Sequence, residues 1–110
     1  MKSVSIIVIT YNEEKNIDDC LNSLVSLDYP NDKYEIIVVD ASTDKTAEIA
    51  CKYQKVKVHK SSEKGFAVQR NKGISLASND IIAFTDADCI VSKDWLKNLV
   101  FTIESGPNVG

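Results

Sequence analysis

Asp86 and Asp88 stand one residue apart, just after the apolar run Ile81-Ile82-Ala83-Phe84. Two carboxylates so close behind a hydrophobic strand cannot both be buried and ionised without a cation or strong hydrogen-bond donors. A divalent ion meets that need. Mg²⁺ takes one or two carboxylates and completes its shell with water and substrate phosphates, and Mn²⁺ also suits hard oxygen ligands. Asp-x-Asp is a short pattern, and its plain alternative is a pair of solvated loop residues. Its position directly after a strand raises its value.

Two further polar clusters follow apolar runs: Thr10-Tyr11-Asn12-Glu13-Glu14 and Asp40-Ala41-Ser42-Thr43-Asp44. Asp40 comes directly after Ile36-Ile37-Val38-Val39, so its carboxylate is expected at the edge of a sheet, able to accept hydrogen bonds from a base or ribose. The alternative is an ordinary turn aspartate. Asn12 and Asp44 read equally well as caps of the helices that follow, because Asn, Asp, Ser and Thr are the usual N-cap residues. Arg70, with Asn71, follows Gly65; it is either a solvated helix residue or a planar donor to a nucleotide's base or phosphates. His59 has no catalytic partner in view and is read as structural, and Trp95 as core or rim.

The elements that must position these residues alternate. Val4 to Ile9 is a short β-branched run of the kind found in a strand buried on both faces of a parallel sheet. From Glu13 to Leu27, Ile17, Cys20, Leu21, Leu24 and Leu27 recur at helical spacing, with Asn12 as the expected N-cap. Asp28 to Asp32 is a turn. Tyr34 to Val39 predicts a second strand, and Thr46, Ile49, Ala50 and Tyr53 one face of a second helix capped near Ser42 or Thr43. Val56 and Val58 suggest a third strand. Phe66 to Ala77 reads as a helix broken near Gly73, polar on the face of Gln69 and Arg70. Ile81 to Phe84 is a fourth strand, and Leu96, Leu99, Val100 and Ile103 mark a last helix capped by Ser92, with Ser105 to Gly110 as its exit.

This order predicts the α/β class: a Rossmann-like parallel sheet of about four strands, with helices on both faces and right-handed crossovers. Such sheets bind ligands beyond the carboxyl ends of their strands, where the polar clusters fall.

The chain has 110 residues, 44% of them hydrophobic and 26% charged, enough for one core and one domain. A formal net charge of -3 gives no general attraction for nucleic acid, and no nucleic-acid partner is expected. The first apolar run is far below the roughly 18 to 20 residues of a bilayer span, and Lys2 and Ser3 make a poor signal-peptide front. The expected location is cytoplasmic, with any membrane attachment supplied by segments outside these residues. Cys20, Cys51 and Cys89 are odd in number and widely spaced, so they are expected to be buried, reduced thiols rather than disulfide or zinc ligands.

Four blocks in order, Val8 to Glu14, Val38 to Thr46, Gly65 to Ala77 with Arg70-Asn71-Lys72-Gly73, and Phe84 to Asp88, resemble the amino-terminal half of the family 2 inverting glycosyltransferases, which have the GT-A fold. The resemblance covers nearly the whole chain. It implies that residues 1–110 are the nucleotide-sugar-binding portion of a metal-dependent enzyme, a truncated GT-A fold without the acceptor-binding half. Thr10, Tyr11, Glu13, Asp40, Arg70 and Asp86 would then bind a UDP- or GDP-sugar. In similar proteins the residues matching Thr10 and Tyr11 lie around the nucleobase, and the one matching Asp40 hydrogen-bonds it. Asp86 would approach the ribose or metal, and Asp88 would help hold the Mn²⁺ or Mg²⁺ that bridges the diphosphate. The general base is expected beyond residue 110, so no catalytic residue is assigned here. Ala41 departs from the family pattern, where many relatives carry Asp, Asn or Gly.

Two other readings compete. A non-catalytic nucleotide-binding or interaction module fits the small size. A haloacid-dehalogenase-like phosphotransferase shares an Asp-x-Asp after a strand, but needs it on the first strand with further motifs downstream. An exposed apolar edge beside Asp86 would favour the truncated enzyme over a module, and self-association of the piece is expected from it.

Overall fold

A computed structural model describes residues 2–105; the expected helix exit from Gly106 to Gly110 lies outside them. Strands β1 (Val4–Thr10), β2 (Tyr34–Asp40), β3 (Val56–Lys60) and β4 (Ile81–Asp86) alternate with helices α1 (Ile17–Val25), α2 (Thr46–Ala50), α3 (Phe66–Leu76) and α4 (Trp95–Ser105). The four strands form one parallel sheet in the order β3-β2-β1-β4. The predicted α/β architecture is therefore present, strand for strand.

Side-chain alternation along β1 divides the core. Val4, Ile6 and Val8 pack with Ile17, Cys20, Leu21 and Leu24 of α1, Ala50 of α2, and Leu96 and Val100 of α4. Ile7, with Ile37 and Val39 beside it on β2, points to the other face, which α3 covers. Gly73 makes that cover possible. A Cβ there would lie 2.6 Å from Ile7 Cγ2 and 3.4 Å from Val39 Cγ2, so only glycine lets the helix sit this close. The helix expected to break near Gly73 runs through it unbroken, because the residue serves helix-to-sheet approach rather than helix ending.

Two other expectations fail at the same helix and at α1. Gln69, expected on a polar outer face, is buried, and its amide donates to the Thr10 and Val39 carbonyls at 3.0 and 2.9 Å. Helix α1 begins at Ile17, not near Glu13, and Asn12 does not cap it. The N–H groups of Asn12, Glu13 and Glu14 are instead taken by Ser42 Oγ, Thr46 Oγ1 and Asp44 Oδ2, and the left-handed backbone of Asn12 (φ 53°) keeps that residue out of a helix.

Strand β4 is an edge. Helix α3 lies over β1 and β2, leaving Phe84 43% exposed. Phe84 is thus exposed apolar surface on the edge strand two residues before Asp86, as expected, and Ile90 is exposed two residues after Asp88. Among the described residues no helix is long and apolar enough to cross a membrane.

Candidate nucleotide and metal site

The loops after β1 and β2 are clasped side by side. Asn12 takes the left-handed backbone (φ 53°), which Asn tolerates better than most residues, and its Oδ1 accepts the Thr43 N–H at 2.8 Å. Asp44 Oδ1 accepts the Thr46 N–H at 3.0 Å, a cap-like bond at the start of α2, while its Oδ2 accepts the Glu14 N–H. Asp44 thus bonds at the start of α2, as expected of a cap, and also ties down the loop after β1, whereas Ser42 and Thr43 do not cap α2.

Asp40 is the hub of this clasp. Its Oδ1 accepts Thr10 Oγ1 and Ser42 Oγ, each at 2.6 Å, and its Oδ2 accepts the Ser42 N–H at 3.2 Å. Thr10 is fully buried and Asp40 is 1% exposed, so both sit just inside the rim rather than on it. A carboxylate offers about four acceptor positions, and three are occupied by the fold. One acceptor position, on Oδ2, takes no donor from the described residues.

Beside the clasp, at the carboxyl ends of β1 and β4, lies an open cleft of about 370 Å³. Tyr11, Glu13, Asp86 and Asp88 line it, with Lys64, Gly65 and Phe66 from the start of α3. Tyr11 is 41% exposed, and the Lys64 ammonium stands 4.1 Å from its ring centroid. Gly65 has φ 155°, a backbone that L side chains rarely adopt, and its N–H donates to Gln69 Oε1 at 3.1 Å. Arg70 is not among the cleft-lining residues. It is exposed, one turn from Phe66, with its guanidinium carbon 5.8 Å from that ring's centroid. The structure therefore brings Tyr11, Glu13, Asp86 and Asp88 together, sets Thr10 and Asp40 behind them, and leaves Arg70 at the outer side.

The chemistry of the donor set fits a divalent cation. Glu13, Asp86 and Asp88 face the cleft with Lys64 as its one lining ammonium, a formal excess of two negative charges. One carboxylate oxygen each from Asp86 and Asp88 and the Cys89 Sγ all lie within 4.8 Å of one another. Cys89 and Cys51 are exposed, against expectation; only Cys20 is buried. The Cys20 thiol donates to the Asp86 carbonyl at 3.5 Å, and burial, with lesser repulsion from nearby acids, pushes it up to about 12. It therefore stays protonated behind the site.

A family profile described as Glycosyl transferase family 2 matches residues 5–110. The chain belongs to that family. It is 42% identical to the glycosyltransferase AglE of Haloferax volcanii over 96% of this chain and 36% of that protein. It is 36% identical to the poly(ribitol-phosphate) beta-N-acetylglucosaminyltransferase TarS of Staphylococcus aureus, over 94% of this chain and 19% of TarS. Among solved structures, TarS residues 1–349 in complex with UDP-GlcNAc superpose with a TM-score of 0.86 at 37% identity, covering 94% of this chain and 31% of that one. The mannosyltransferase PcManGT of Pyrobaculum calidifontis, in complex with GDP-Man and Mn²⁺, gives 0.89 at 34% identity, covering 97% and 33%. The chain thus spans about a third or less of the length of these relatives. The fold is the four-stranded part of their GT-A fold, and the family assignment displaces the phosphotransferase alternative.

Lys64, Phe66 and the inward role of Gln69 were missed in the sequence, whereas Gly65 was expected to relax the backbone near the site or to end a helix. A signal was present: Lys60-Ser61-Ser62-Glu63-Lys64 is also a polar cluster after a strand, and the rule applied to β1, β2 and β4 extends to β3.

Proposed function

We propose that this chain is the donor-binding part of a glycosyltransferase that moves a sugar from a nucleoside-diphosphate sugar to an acceptor hydroxyl with inversion. The observation that carries the reading is the cleft shared by Tyr11, Lys64, Phe66, Asp86 and Asp88 at the carboxyl ends of β1 and β4, in a chain of this family. The solved relatives in complex with UDP-GlcNAc and with GDP-Man support a UDP- or GDP-sugar as donor.

The geometry supports the following assignment of roles. The exposed face of Tyr11 can stack on the nucleobase, and the free acceptor position of Asp40 can take one base or ribose donor. Thr10 holds Asp40 in place. Arg70, beside Phe66, is assigned to the outer edge of the base or its phosphates. Lys64 offsets part of the diphosphate charge, and Glu13 accepts a ribose or sugar hydroxyl. Asp86 and Asp88 are the residues that would hold Mn²⁺ or Mg²⁺. Bound there, that ion would supply Lewis-acid neutralisation of charge on a departing nucleoside diphosphate. We assign no general base to residues 2–105; attack by the acceptor requires one from elsewhere in the parent protein.

Calorimetric titration of the chain with UDP and GDP, with and without Mn²⁺, tests the reading. Binding that needs Mn²⁺ and disappears in Asp88→Asn is expected. A folded chain that binds neither nucleotide in Mn²⁺ would defeat it. The exposed β4 edge also supports self-association of the chain, which sedimentation velocity would reveal as a concentration-dependent dimer.

A further inference from the structure

The buried residues of α3 are Gln69 and Gly73, and Gln69 is only 2% exposed. A buried amide is costly unless its polar atoms find partners, and an apolar side chain of the same length would fill the space without that cost. Packing alone therefore does not call for glutamine here. Both Nε2 hydrogens are used, on the Thr10 and Val39 carbonyls at 3.0 and 2.9 Å. Oε1 accepts the Gly65 N–H at 3.1 Å, while the Gln69 N–H donates to the Gly65 carbonyl at 2.9 Å. Two carbonyls and one N–H as side-chain partners fix which way the amide is turned. Each partner also adjoins a residue to which a nucleotide role is assigned: Thr10 precedes Tyr11, Val39 precedes Asp40, and Gly65 follows Lys64. One side chain thus ties the ends of β1 and β2 to the start of α3 and lies against the cleft between them.

We propose that Gln69 is a positioning residue of the donor site, whose amide holds Tyr11, Asp40 and Lys64 at the spacing that a nucleoside diphosphate requires. This rests on the donor-site reading above, and it deepens that reading by naming what fixes the strand ends to the lip of the cleft. Gln69 acts through the backbone, and none of its side-chain bonds reaches Asp86 or Asp88. It therefore orders the groups that meet the nucleotide without holding the cation. The competing role is purely structural: an amide that only keeps α3 on the sheet would affect nucleotide and cation alike, or neither.

Gln69→Met and Gln69→Glu in the 110-residue chain separate the two roles. Methionine keeps the length and removes the hydrogen bonds; the Thr10 carbonyl retains the Ala41 N–H at 3.1 Å and Gly65 is half-buried within reach of water, so this variant should fold. Titrated with UDP and with GDP in Mn²⁺, it should bind whichever nucleotide the wild-type chain binds about tenfold more weakly, the net worth of one or two neutral hydrogen bonds. Affinity for Mn²⁺ alone, from the electron paramagnetic resonance of the free ion, should change less than about twofold, as for groups that share no partner. The Lys64 ε-methylene protons, which the Tyr11 ring shifts upfield, should move toward the position of a free lysine. Glutamate is the isosteric variant: ionised, it sets charge against two carbonyls, and once protonated it can again donate one hydrogen bond and accept the Gly65 N–H. Its nucleotide affinity relative to wild type should recover as pH falls from about 8 to about 6, since burial raises a carboxyl's pKa, while the Gln69→Met ratio stays level. A folded Gln69→Met that binds nucleotide within about twofold of wild type, inside the usual range for uncoupled sites, overturns the proposal and leaves the donor-site reading standing. Equal losses of nucleotide and Mn²⁺ affinity, or a Gln69→Glu ratio that ignores pH, overturn it in favour of the structural role. Should Gln69→Met fail to fold, the Gln69→Glu ratio decides alone, and unfolding of both variants assigns the amide to the fold. A wild-type chain that binds neither nucleotide defeats the donor-site reading and this proposal with it.

Discussion

The loop after β2 and the loop after β4 each present aspartate at the rim of the same sheet, and they treat it in opposite ways. Asp40 is enclosed and receives Thr10 Oγ1, Ser42 Oγ and the Ser42 N–H. Asp86 and Asp88 are exposed, and among the described residues the only side-chain hydrogen bond to either carboxylate is from the Cys89 thiol, 3.9 Å from Asp88 Oδ1. The difference separates two uses of one side chain. Donors from the fold fix Asp40 before any ligand arrives, which reduces the ordering cost of binding. Asp86 and Asp88 keep most of their acceptor positions open to solvent and to a ligand.

The comparison breaks first at Asp40. Asp40→Ala removes the acceptor for three donors in a buried setting, and each unmet donor costs about 1–3 kcal/mol. Partial relaxation of the exposed loop brings the expected loss to about 3 kcal/mol in urea denaturation. Asp88→Asn should leave the urea midpoint unchanged while removing Mn²⁺-dependent nucleotide binding. Equal stability of the two variants would show that the clasp contributes nothing and that the contrast is one of exposure only.

The support beneath the clasp gives the next effect. Gly73→Ala gains about 1 kcal/mol of helix propensity. Against that, its Cβ would meet Ile7 Cγ2 at 2.6 Å, and that methyl sits on a stiff β-branched side chain with no exposed surface. Overpacking costs about 1–3 kcal/mol, so a net loss near 1 kcal/mol is expected in the same denaturation assay. Nucleotide affinity should fall with it, since α3 also carries Lys64's neighbours and Gln69, which holds the Thr10 carbonyl. Unchanged affinity would mean that the cleft tolerates movement of α3.

How much of this was legible depended on range. The strands could be read because β-branched runs ending in polar clusters are a local signal, and Asp86 and Asp88 could be located because they follow one. Asn12 and Ser42 were misassigned because a cap and a bond to another loop use the same side chain, and only the pairing of β1 with β2 decides between them. Gly73 and Gln69 failed for a similar reason: both face β1 from a helix more than fifty residues later, and no periodicity within α3 points there. Arg70 was placed at the nucleotide by its planar donor fork and by resemblance, and its position beside Phe66 follows from their i, i+4 spacing on α3.

Glu35, at the opposite end of β2 from Asp40, asks whether satisfaction by the fold is the general distinction. Burial alone would raise its pKa, yet hydrogen bonds from Lys57, Ser5 and the Ser78 N–H hold the carboxyl down to about 2. A depressed carboxylate contributes stability that is present above its unfolded pKa and is lost as pH falls through the folded one. The chain should therefore lose stability between about pH 4.5 and pH 2, and Glu35→Gln should flatten that part of the profile. An unaltered acid limb in Glu35→Gln would assign the loss to other carboxylates and confine the contrast to the rim.

The smallest effect is expected at Lys64, where the two regions meet. Its ammonium rests over Tyr11 and faces the same cleft as Asp86 and Asp88. An exposed cation–π contact is worth about 0.5–1 kcal/mol, so Lys64→Met should hardly alter folding. Loss of the positive charge should weaken UDP binding in Mn²⁺ about fivefold, which corresponds to roughly 1 kcal/mol, and reduce its dependence on salt. Lys64→Arg should restore most of the affinity. Tighter binding by Lys64→Met would reverse the assignment: Lys64 would then be shielding the Tyr11 face from the base, and the diphosphate charge would rest on the cation at Asp86 and Asp88 alone.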